Sequence, residues 1–437
     1  MAKNLKENSS KKAALDYHEF PQPGKLEIRA TKPLANQRDL SRAYSPGVAE
    51  ACLEIKEDEN TASKYTSKGN LVAVISNGTA VLGLGNIGPG ASKPVMEGKA
   101  VLFKKFANID CFDIEVDEDN PQRLAEIVAS LEPTFGAINL EDIKAPDCFE
   151  VERLCKEKMK IPVFHDDQHG TAIVVGAAAV NAIELSNRKI ENTKIVAVGA
   201  GASGIACLEM LVKLGAKREN IWLSDSKGLI TKNRSEINEE KKRFSQDSNL
   251  SKLDDVIKDC DMFLGLSGPG VLTSKMVLKM NKQPIIFALA NPDPEINPAD
   301  ALKVAPDALI ATGRSDYPNQ VNNVLCFPFI FRGALDVGAT QINDEMKLAC
   351  IHAIANLARQ TSTAETVEAY QGEILKFGKE YLIPKPFDPR LLPNVAVAVA
   401  EAAMRSGVAS RPLKDVEAYK QKLEGSVYKS TILMKPV

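Results

Sequence analysis

Short apolar runs alternate with amphipathic stretches from about residue 71 onward. The runs are continuously apolar rather than alternating, which is typical of parallel strands that are buried on both faces. They predict strands at residues 71–76, 111–116, 137–140, 161–165, 194–199, 220–225, 262–267, 284–290 and 308–313. Segments between them, such as 121–131 and 202–216, carry apolar residues at helical spacing. From residue 343 to the end the pattern is only helical, so we predict an α/β fold with a helical C-terminal segment.

The order of these elements suggests two units in the chain. Its 437 residues correspond to roughly two or three domains. We predict a boundary near residues 162–170, with an α/β domain at 1–162 and a second βαβ series with its C-terminal helices at 163–437. A cleft between paired domains is where ligands usually bind.

Charge and cysteine usage exclude several classes of protein. The 55 basic and 57 acidic residues give a net charge of −2, which argues against binding to nucleic acid or an anionic membrane. The longest nearly uncharged apolar stretch, 171–183, is far shorter than the roughly 20 residues of a membrane span, and it predicts a buried helix. The eight cysteines are scattered without a C-x-x-C motif. The polar, lysine-rich N-terminus has no apolar segment after it. We therefore expect a cytoplasmic protein with reduced thiols.

One glycine-rich loop predicts a dinucleotide site. It follows the strand at 194–199 directly and opens a helix, which is the setting in which G-x-G-x-x-G binds a pyrophosphate at a helix N-terminus. An acid that could bind a ribose hydroxyl, Asp225, ends the next strand 21 residues after the last glycine. The predicted coenzyme residues of the loop are Gly199, Gly201, Ala202, Ser203 and Gly204.

Three neighbouring features refine this prediction. Ser226 and Lys227 follow Asp225 and could accommodate the 2′-phosphate of NADP, whereas the acid alone favours NAD. Another G-x-G-x-x-G at 83–88, which is the first glycine motif along the chain, precedes a proline- and glycine-rich segment that does not look helical, so we expect a structural turn near the substrate. A third loop at 265–270 either lies under the cofactor or is only a tight turn.

Two acid pairs predict a metal site. Glu141-Asp142 and Asp166-Asp167 each come at the C-terminal end of an apolar strand, where the loops of neighbouring parallel strands converge. Four carboxylates at one place would repel one another unless a cation neutralised them. Oxygen ligands favour Mg²⁺ or Mn²⁺ over zinc, and no thiol completes a zinc set with the nearby histidines.

Taken together, the motifs resemble those of malic enzymes of the short bacterial type, over about residues 17–405. The resemblance is carried, in order along the chain, by Tyr44-Ser-Pro-Gly-Val-Ala, the segment 81–88, Gly98-Lys99, Asn139-Leu-Glu141-Asp142, the segment 164–171, the loop 199–204, Ala290-Asn291-Pro and Asn322-Asn323. It implies an N-terminal malic domain followed by a Rossmann-type NAD(P)-binding domain. It also implies a homodimer or a higher homo-oligomer.

The family oxidises (S)-malate with NAD(P)⁺ and decarboxylates the product to pyruvate and CO₂, using Mg²⁺ or Mn²⁺. By resemblance, Lys99 is the general base and Tyr44 the general acid. A lysine with an ordinary pKa near about 10.4 would need that pKa depressed by the metal and by burial. The remaining implied roles are metal binding by Glu141, Asp142 and Asp167, and contact with substrate or nicotinamide by Asn291 and Asn323.

The sequence departs from the larger members of the family at two places. Ala80 stands where many of them have an arginine that holds a substrate carboxylate, so another group, such as an asparagine side chain or a backbone N–H, must do so here. Residues 165–171 read HDDQHGT in place of NDDxQGT, with both acids kept. The DSKG segment after the second Rossmann strand resembles NADP-using members, so we expect NADP, with NAD as the alternative.

Two other classes of function compete with this interpretation. A non-decarboxylating hydroxyacid dehydrogenase would share the Rossmann loop but would not need the acid pairs. A dinucleotide-sensing regulatory protein would need neither the acid pairs nor Lys99.

Overall fold

The computed structural model describes the backbone of residues 2–433 and the side chains of residues 10–427. Its strands are β1 (Leu71–Ser76), β2 (Asp110–Glu115), β3 (Ala137–Leu140), β4 (Val163–His165), β5 (Ile195–Val198), β6 (Ile221–Asp225), β7 (Gly228–Leu229), β8 (Met262–Gly265), β9 (Ile285–Ala288) and β10 (Leu309–Thr312). All nine predicted strands are confirmed to within a few residues. The sequence did not predict β7, which has only two residues.

The helices separate these strands and then occupy the C-terminal part of the chain. They are α1 (Ala2–Glu19), α2 (Gln37–Ala43), α3 (Val48–Glu57), α4 (Ala62–Tyr65), α5 (Pro89–Ala107), α6 (Pro121–Ser130), α7 (Asp147–Lys158), α8 (Asp166–Leu185), α9 (Ala202–Lys213), α10 (Glu239–Lys242), α11 (Leu253–Val256), α12 (Ser274–Val277), α13 (Pro298–Val304), α14 (Phe327–Asp336), α15 (Asp344–Arg359), α16 (Ala364–Ala369), α17 (Leu391–Arg405) and α18 (Val416–Leu433). The helical C-terminal segment is thus confirmed.

The strands form two sheets. The first has the order β2-β1-β3-β4 and is parallel throughout. The second has the order β10-β9-β8-β5-β6-β7 and is parallel except for the β6–β7 pair. Strands β5 and β9 are buried along their whole length, as expected for sheets covered by helices on both faces. The α/β fold class is confirmed.

Helix α8 connects the two sheets. Its first residues follow β4 directly, and it packs against α9 and α15 on the side of the second sheet. Most of its side chains are buried, so the apolar stretch at 171–183 is a core helix, as predicted. In residues 2–433 no helix is long and apolar enough to cross a membrane. All eight cysteines are free thiols.

Two details differ from the expectations. The segment after the first glycine motif is helical: α5 begins at Pro89, where a missing N–H costs nothing, and it continues through Pro94 because Met96 and Phe103 are fully buried. In addition, β4 pairs with β3, so residues 163–165 belong to the first sheet although they follow the predicted boundary at 162. The division into two domains itself stays a prediction.

Candidate active site

The two acid pairs meet at the C-terminal edge of the first sheet. β3 ends at Leu140 and β4 at His165, and the two strands are parallel neighbours, so the residues after them converge. One carboxylate oxygen from each of Glu141, Asp142 and Asp167 lies within 4.8 Å of the others. The Asp142 N–H also donates to Asp167 Oδ2 at 2.8 Å. The structure thus brings the three predicted metal ligands together.

The electrostatics of this cluster fit a divalent cation. Burial, followed by the neighbouring carboxylates, raises the pKa of Glu141 well above its usual range, although Lys99 opposes the shift. Burial and Asp167 raise the pKa of Asp142 to about 7. Among the described side chains, the buried Asp142 Oδ2 and Asp166 Oδ1 have no hydrogen-bond partner. The carboxylates of the cluster are crowded and only partly compensated by Lys99. Mg²⁺ or Mn²⁺, which prefer oxygen ligands, would neutralise them.

Lys99 lies at the edge of the acid cluster. Helix α5 places its Nζ 2.8 Å from Glu141 Oε1 and 2.7 Å from Asp166 Oδ2, and the side chain is buried. Burial alone would lower the pKa of Lys99, but Asp166 and Glu141 outweigh it and raise the pKa above its usual value. The two carboxylates therefore favour the charged form of the lysine. The depressed pKa that a general base requires would have to come from neutralisation of those two carboxylates.

Asn323 joins the same cluster from a distant part of the chain. Its Nδ2 donates to Asp166 Oδ2, which also accepts from Lys99. Asp166 thereby links α5, α8 and the turn before α14. Through these two bonds, Asp166 orients Lys99 and Asn323 beside the three predicted ligands.

Tyr44 is an exposed residue in the single chain. It follows α2, its side chain is 73% exposed, and α2 and α3 contain no buried residue. In the part of the chain that the structure describes, no hydrogen bond joins the Tyr44 hydroxyl to Lys99 or to the four acids. Within one copy, the described residues thus show no hydrogen bond between the predicted acid and the cluster that holds the predicted base.

The predicted dinucleotide loop has the expected geometry. It connects β5 to α9, and Gly199 has a φ of 108°. A Cβ at Gly199 would stand 2.2 Å from Leu266 O, whereas Gly201, at the helix N-terminus, faces open space. Ser203 Oγ donates to the backbone oxygen of Asp167 at 2.7 Å. The start of the coenzyme helix is therefore bonded to the turn that carries a predicted metal ligand.

Asp225 is surrounded by cations that the sequence did not single out. Its carboxylate accepts from Arg234 at 2.9 and 3.1 Å and from Lys241 at 2.9 Å. Burial would raise the pKa of Asp225, but these bonds and the Lys227 N–H lower it to about 2. The Lys227 ammonium instead bonds to the exposed Glu236 at 2.6 Å. The fold of the loop at 226–241 brings both cations to Asp225. The sequence alone could not predict these contacts, because neither cation lies next to Asp225 along the chain.

Asn291 and the first glycine turn lie beside one another. A Cβ at Gly83 would stand 3.7 Å from Asn291 O, which connects the turn at 78–88 with the loop after β9. The backbone N–H of Ala80 donates to Asp142 O at 3.0 Å, so the position that lacks an arginine borders the acid cluster. The first glycine motif is thus a turn next to the predicted ligands.

Comparison with known proteins identifies relatives of the chain. A family model described as "Malic enzyme, N-terminal domain" matches residues 23–126, and one described as "Malic enzyme, NAD binding domain" matches residues 168–370. An NADP-dependent malic enzyme of Haemophilus influenzae is 60% identical over 98% of this chain, which spans only 57% of that relative's length. One of Halomonas elongata is 55% identical, over 93% of this chain and 96% of the relative. The crystal structure of malic enzyme from Pyrococcus horikoshii has a TM-score of 0.86 and 41% identity, over 96% of this chain and 95% of that one.

Proposed function

The chain belongs to the malic enzyme family, and we propose that it oxidises (S)-malate with NAD(P)⁺ and decarboxylates the product to pyruvate and CO₂. The observation that supports this most directly is the position of Lys99, which lies within 2.8 Å of carboxylates of both acid pairs. A non-decarboxylating dehydrogenase or a nucleotide sensor would not need a lysine joined to a metal-type cluster.

We propose Glu141, Asp142 and Asp167 as the ligands of Mg²⁺ or Mn²⁺. A cation held there would polarise the C2 oxygen of the substrate during oxidation and again during loss of CO₂. Lys99 would take the proton of the C2 hydroxyl, and a bound NAD(P)⁺ would supply the acceptor for the hydride of C2. Asp166 and Asn323 hold Lys99 and the substrate in place. Tyr44 then protonates C3 of the enolate to give pyruvate.

Arg314 is our proposal for the residue that binds the second carboxylate of malate, given Ala80. It follows β10, the neighbour of β9, and its Nη1 donates to Pro292 O at 3.0 Å, directly after Asn291. Asp316 holds the guanidinium through two bonds of 2.8 Å. A guanidinium has five N–H donors, and three of them are used by Asp316 and Pro292 O. The two that remain, one on Nη1 and one on Nη2, are the donors that we propose for the substrate carboxylate.

We propose NADP⁺ as the preferred coenzyme, with NAD⁺ as the alternative. Gly199 to Gly204 would bind the pyrophosphate, and Asp225 the adenine ribose. Arg234 and Lys241 compensate the charge of Asp225, so that a 2′-phosphate next to it would not be repelled. Arg234 and Lys241 thus join Ser226 and Lys227 as the residues that we propose to accommodate the 2′-phosphate.

A homodimer would explain the exposed N-terminal segment, and we propose that assembly. Large apolar side chains of this segment are exposed in the single chain: Leu15, Tyr17, Phe20, Ile28, Leu34, Leu40, Tyr44, Val48 and Leu53. Helices as short as α2 and α3 are marginal unless they pack against something. Packing on a second copy would bury them and would bring Tyr44 to a site. The cytoplasmic location also stays a proposal.

The decisive experiment is a steady-state assay with malate that compares NAD⁺ with NADP⁺, with and without Mn²⁺, and follows pyruvate. We expect pyruvate in a one-to-one ratio with reduced coenzyme and no turnover after chelation. Oxaloacetate as the only product would favour the non-decarboxylating dehydrogenase. The absence of any turnover while the dinucleotide binds would favour a sensor.

A further inference from the structure

Glu295 is a buried carboxylate that joins the loops following β8 and β9. Its side chain is fully buried. Oε1 accepts from the Ser267 N–H at 2.9 Å, and Oε2 accepts from the Ala290 N–H at 3.1 Å. The Ser267 hydroxyl is 3.5 Å from Oε1. One side chain therefore fixes the backbone of two loops at the same edge of the sheet.

The end of β8 is shaped around this carboxylate. A Cβ added at Gly265 would stand 2.3 Å from Glu295 Cδ, so any larger residue there would displace the side chain. The backbone oxygen of Glu295 accepts from the Leu272 N–H at 3.1 Å, which holds the residue from its other side. The position of the carboxylate is thus set by close packing as well as by its hydrogen bonds.

Among the side chains that the structure describes, no cation is bonded to the carboxylate of Glu295. The partners of its oxygens are neutral N–H and O–H groups. Burial raises the pKa of Glu295, and the bonds from Ser267 and Ala290 oppose that rise. Both oxygens act as acceptors, as expected of an ionised carboxylate. A buried charge without a counter-ion is costly, so its presence at a ligand-binding edge calls for a function.

The sheet order shows which part of a dinucleotide this charge would face. A dinucleotide bound to a Rossmann sheet straddles the strand that carries the glycine loop, here β5. Asp225 ends β6 on one side of β5, which assigns the adenosine to that side. The nicotinamide half then lies over β8 and β9, the strands whose loops Glu295 joins. The nicotinamide ring carries a positive charge when oxidised and none when reduced.

We infer that Glu295 is a positioning residue for the nicotinamide half of the coenzyme, and that its buried negative charge favours the oxidised form. It acts through the backbone of Ser267 and Ala290, which it holds in place, and through its field. The inference rests on the proposed function only in that the chain must bind NAD(P). It concerns coenzyme binding and not the chemistry of malate.

The test measures equilibrium binding of NADP⁺ and NADPH to the full chain, without malate or metal. NADPH is followed by its fluorescence and NADP⁺ by calorimetry, for the wild type, Glu295→Gln and Asp300→Asn. The glutamine keeps the shape and removes the charge, whereas Asp300→Asn removes an exposed charge five residues further along the chain. We expect Glu295→Gln to weaken NADP⁺ about tenfold, the effect of one partly screened charge. We expect changes of less than about threefold for NADPH and for the control.

Equal weakening of both coenzyme forms by Glu295→Gln, or no change in either, would overturn the inference. If the wild type binds neither form, the proposed function fails instead. Hydrogen exchange of the free protein gives a second readout, since the Ser267 and Ala290 amides should exchange faster in the glutamine variant and unchanged exchange would count against it. If that variant does not fold, Glu295→Asp replaces it. It keeps the charge, so the NADP⁺ to NADPH affinity ratio should stay within about twofold, and a larger shift contradicts the inference.

Discussion

Coenzyme choice offers the sharpest quantitative prediction, because Asp225 and its cations have defined contacts. In Lys241→Gln, Asp225 loses a charge-assisted bond of 2.9 Å while Arg234 keeps both of its own. A bond of this kind contributes about 1.5–3 kcal/mol when it is shielded. The Lys241 side chain is 24% exposed, so we reduce this to about 1–1.5 kcal/mol. With that compensation lost, Asp225 repels a 2′-phosphate by an energy of this order, so NADP⁺ should bind about five- to thirteenfold more weakly.

The same substitution should leave NAD⁺ binding within about threefold, because a ribose hydroxyl can still donate to Asp225. Lys227→Gln is the comparison variant, because Lys227 is itself a candidate for the 2′-phosphate. Its ammonium is bonded to the exposed Glu236, so we expect Lys227→Gln to change NADP⁺ binding less than Lys241→Gln does. The assay is calorimetric titration of both oxidised coenzymes. Equal losses for NADP⁺ and NAD⁺ in Lys241→Gln would refute the reasoning, as would a larger discrimination by Lys227→Gln.

Three further variants test the rest of the site. Asp167→Ala should lower Mn²⁺ affinity by at least about 100-fold while NADP⁺ still binds, and unchanged Mn²⁺ titration would remove Asp167 from the ligand set. Arg314→Ala should raise the KM for malate by about 10- to 100-fold without affecting a 2-hydroxy acid that lacks the second carboxylate; an equal effect on both would show that the arginine does not bind it. Lys99→Ala and Tyr44→Phe should each be nearly inactive, yet refolding them together in equal amounts should restore about one quarter of wild-type kcat if Tyr44 serves the other copy. An inactive mixture of confirmed mixed dimers would refute that arrangement.

Much of the fold follows from local pattern, because a strand in a parallel sheet is apolar on both faces and ends where polar residues begin. The acids after β3 and β4 could therefore be expected to meet once those strands were predicted as parallel. Helix α5 was not predicted, since its prolines and glycines oppose a helix locally. The burial of Met96 and Phe103 against the rest of the chain outweighs that preference.

The residues that sequence reasoning missed act across loops rather than along elements. Arg234 and Lys241 lie 9 and 16 residues after Asp225, and only the fold of the intervening chain brings them to it. Glu295 looks like one more acid in a polar loop, and its burial depends on a glycine 30 residues earlier. Tyr44 is the opposite case. The resemblance assigns it the role of general acid, yet in one copy of the chain it is exposed, and the described residues show no hydrogen bond between it and the acid cluster.

The position of α8 explains why neither sheet carries the site alone. The helix begins with Asp166 and Asp167 at the edge of the first sheet and ends in the core beside the second. Ser203, at the start of α9, bonds to the backbone of Asp167, so the coenzyme helix and the predicted metal turn are fixed to each other by one contact of 2.7 Å. Lys99 reaches the same turn through Asp166. Malate bound at the acids would therefore be held at a set distance from a nicotinamide bound at the second sheet, as hydride transfer between them requires.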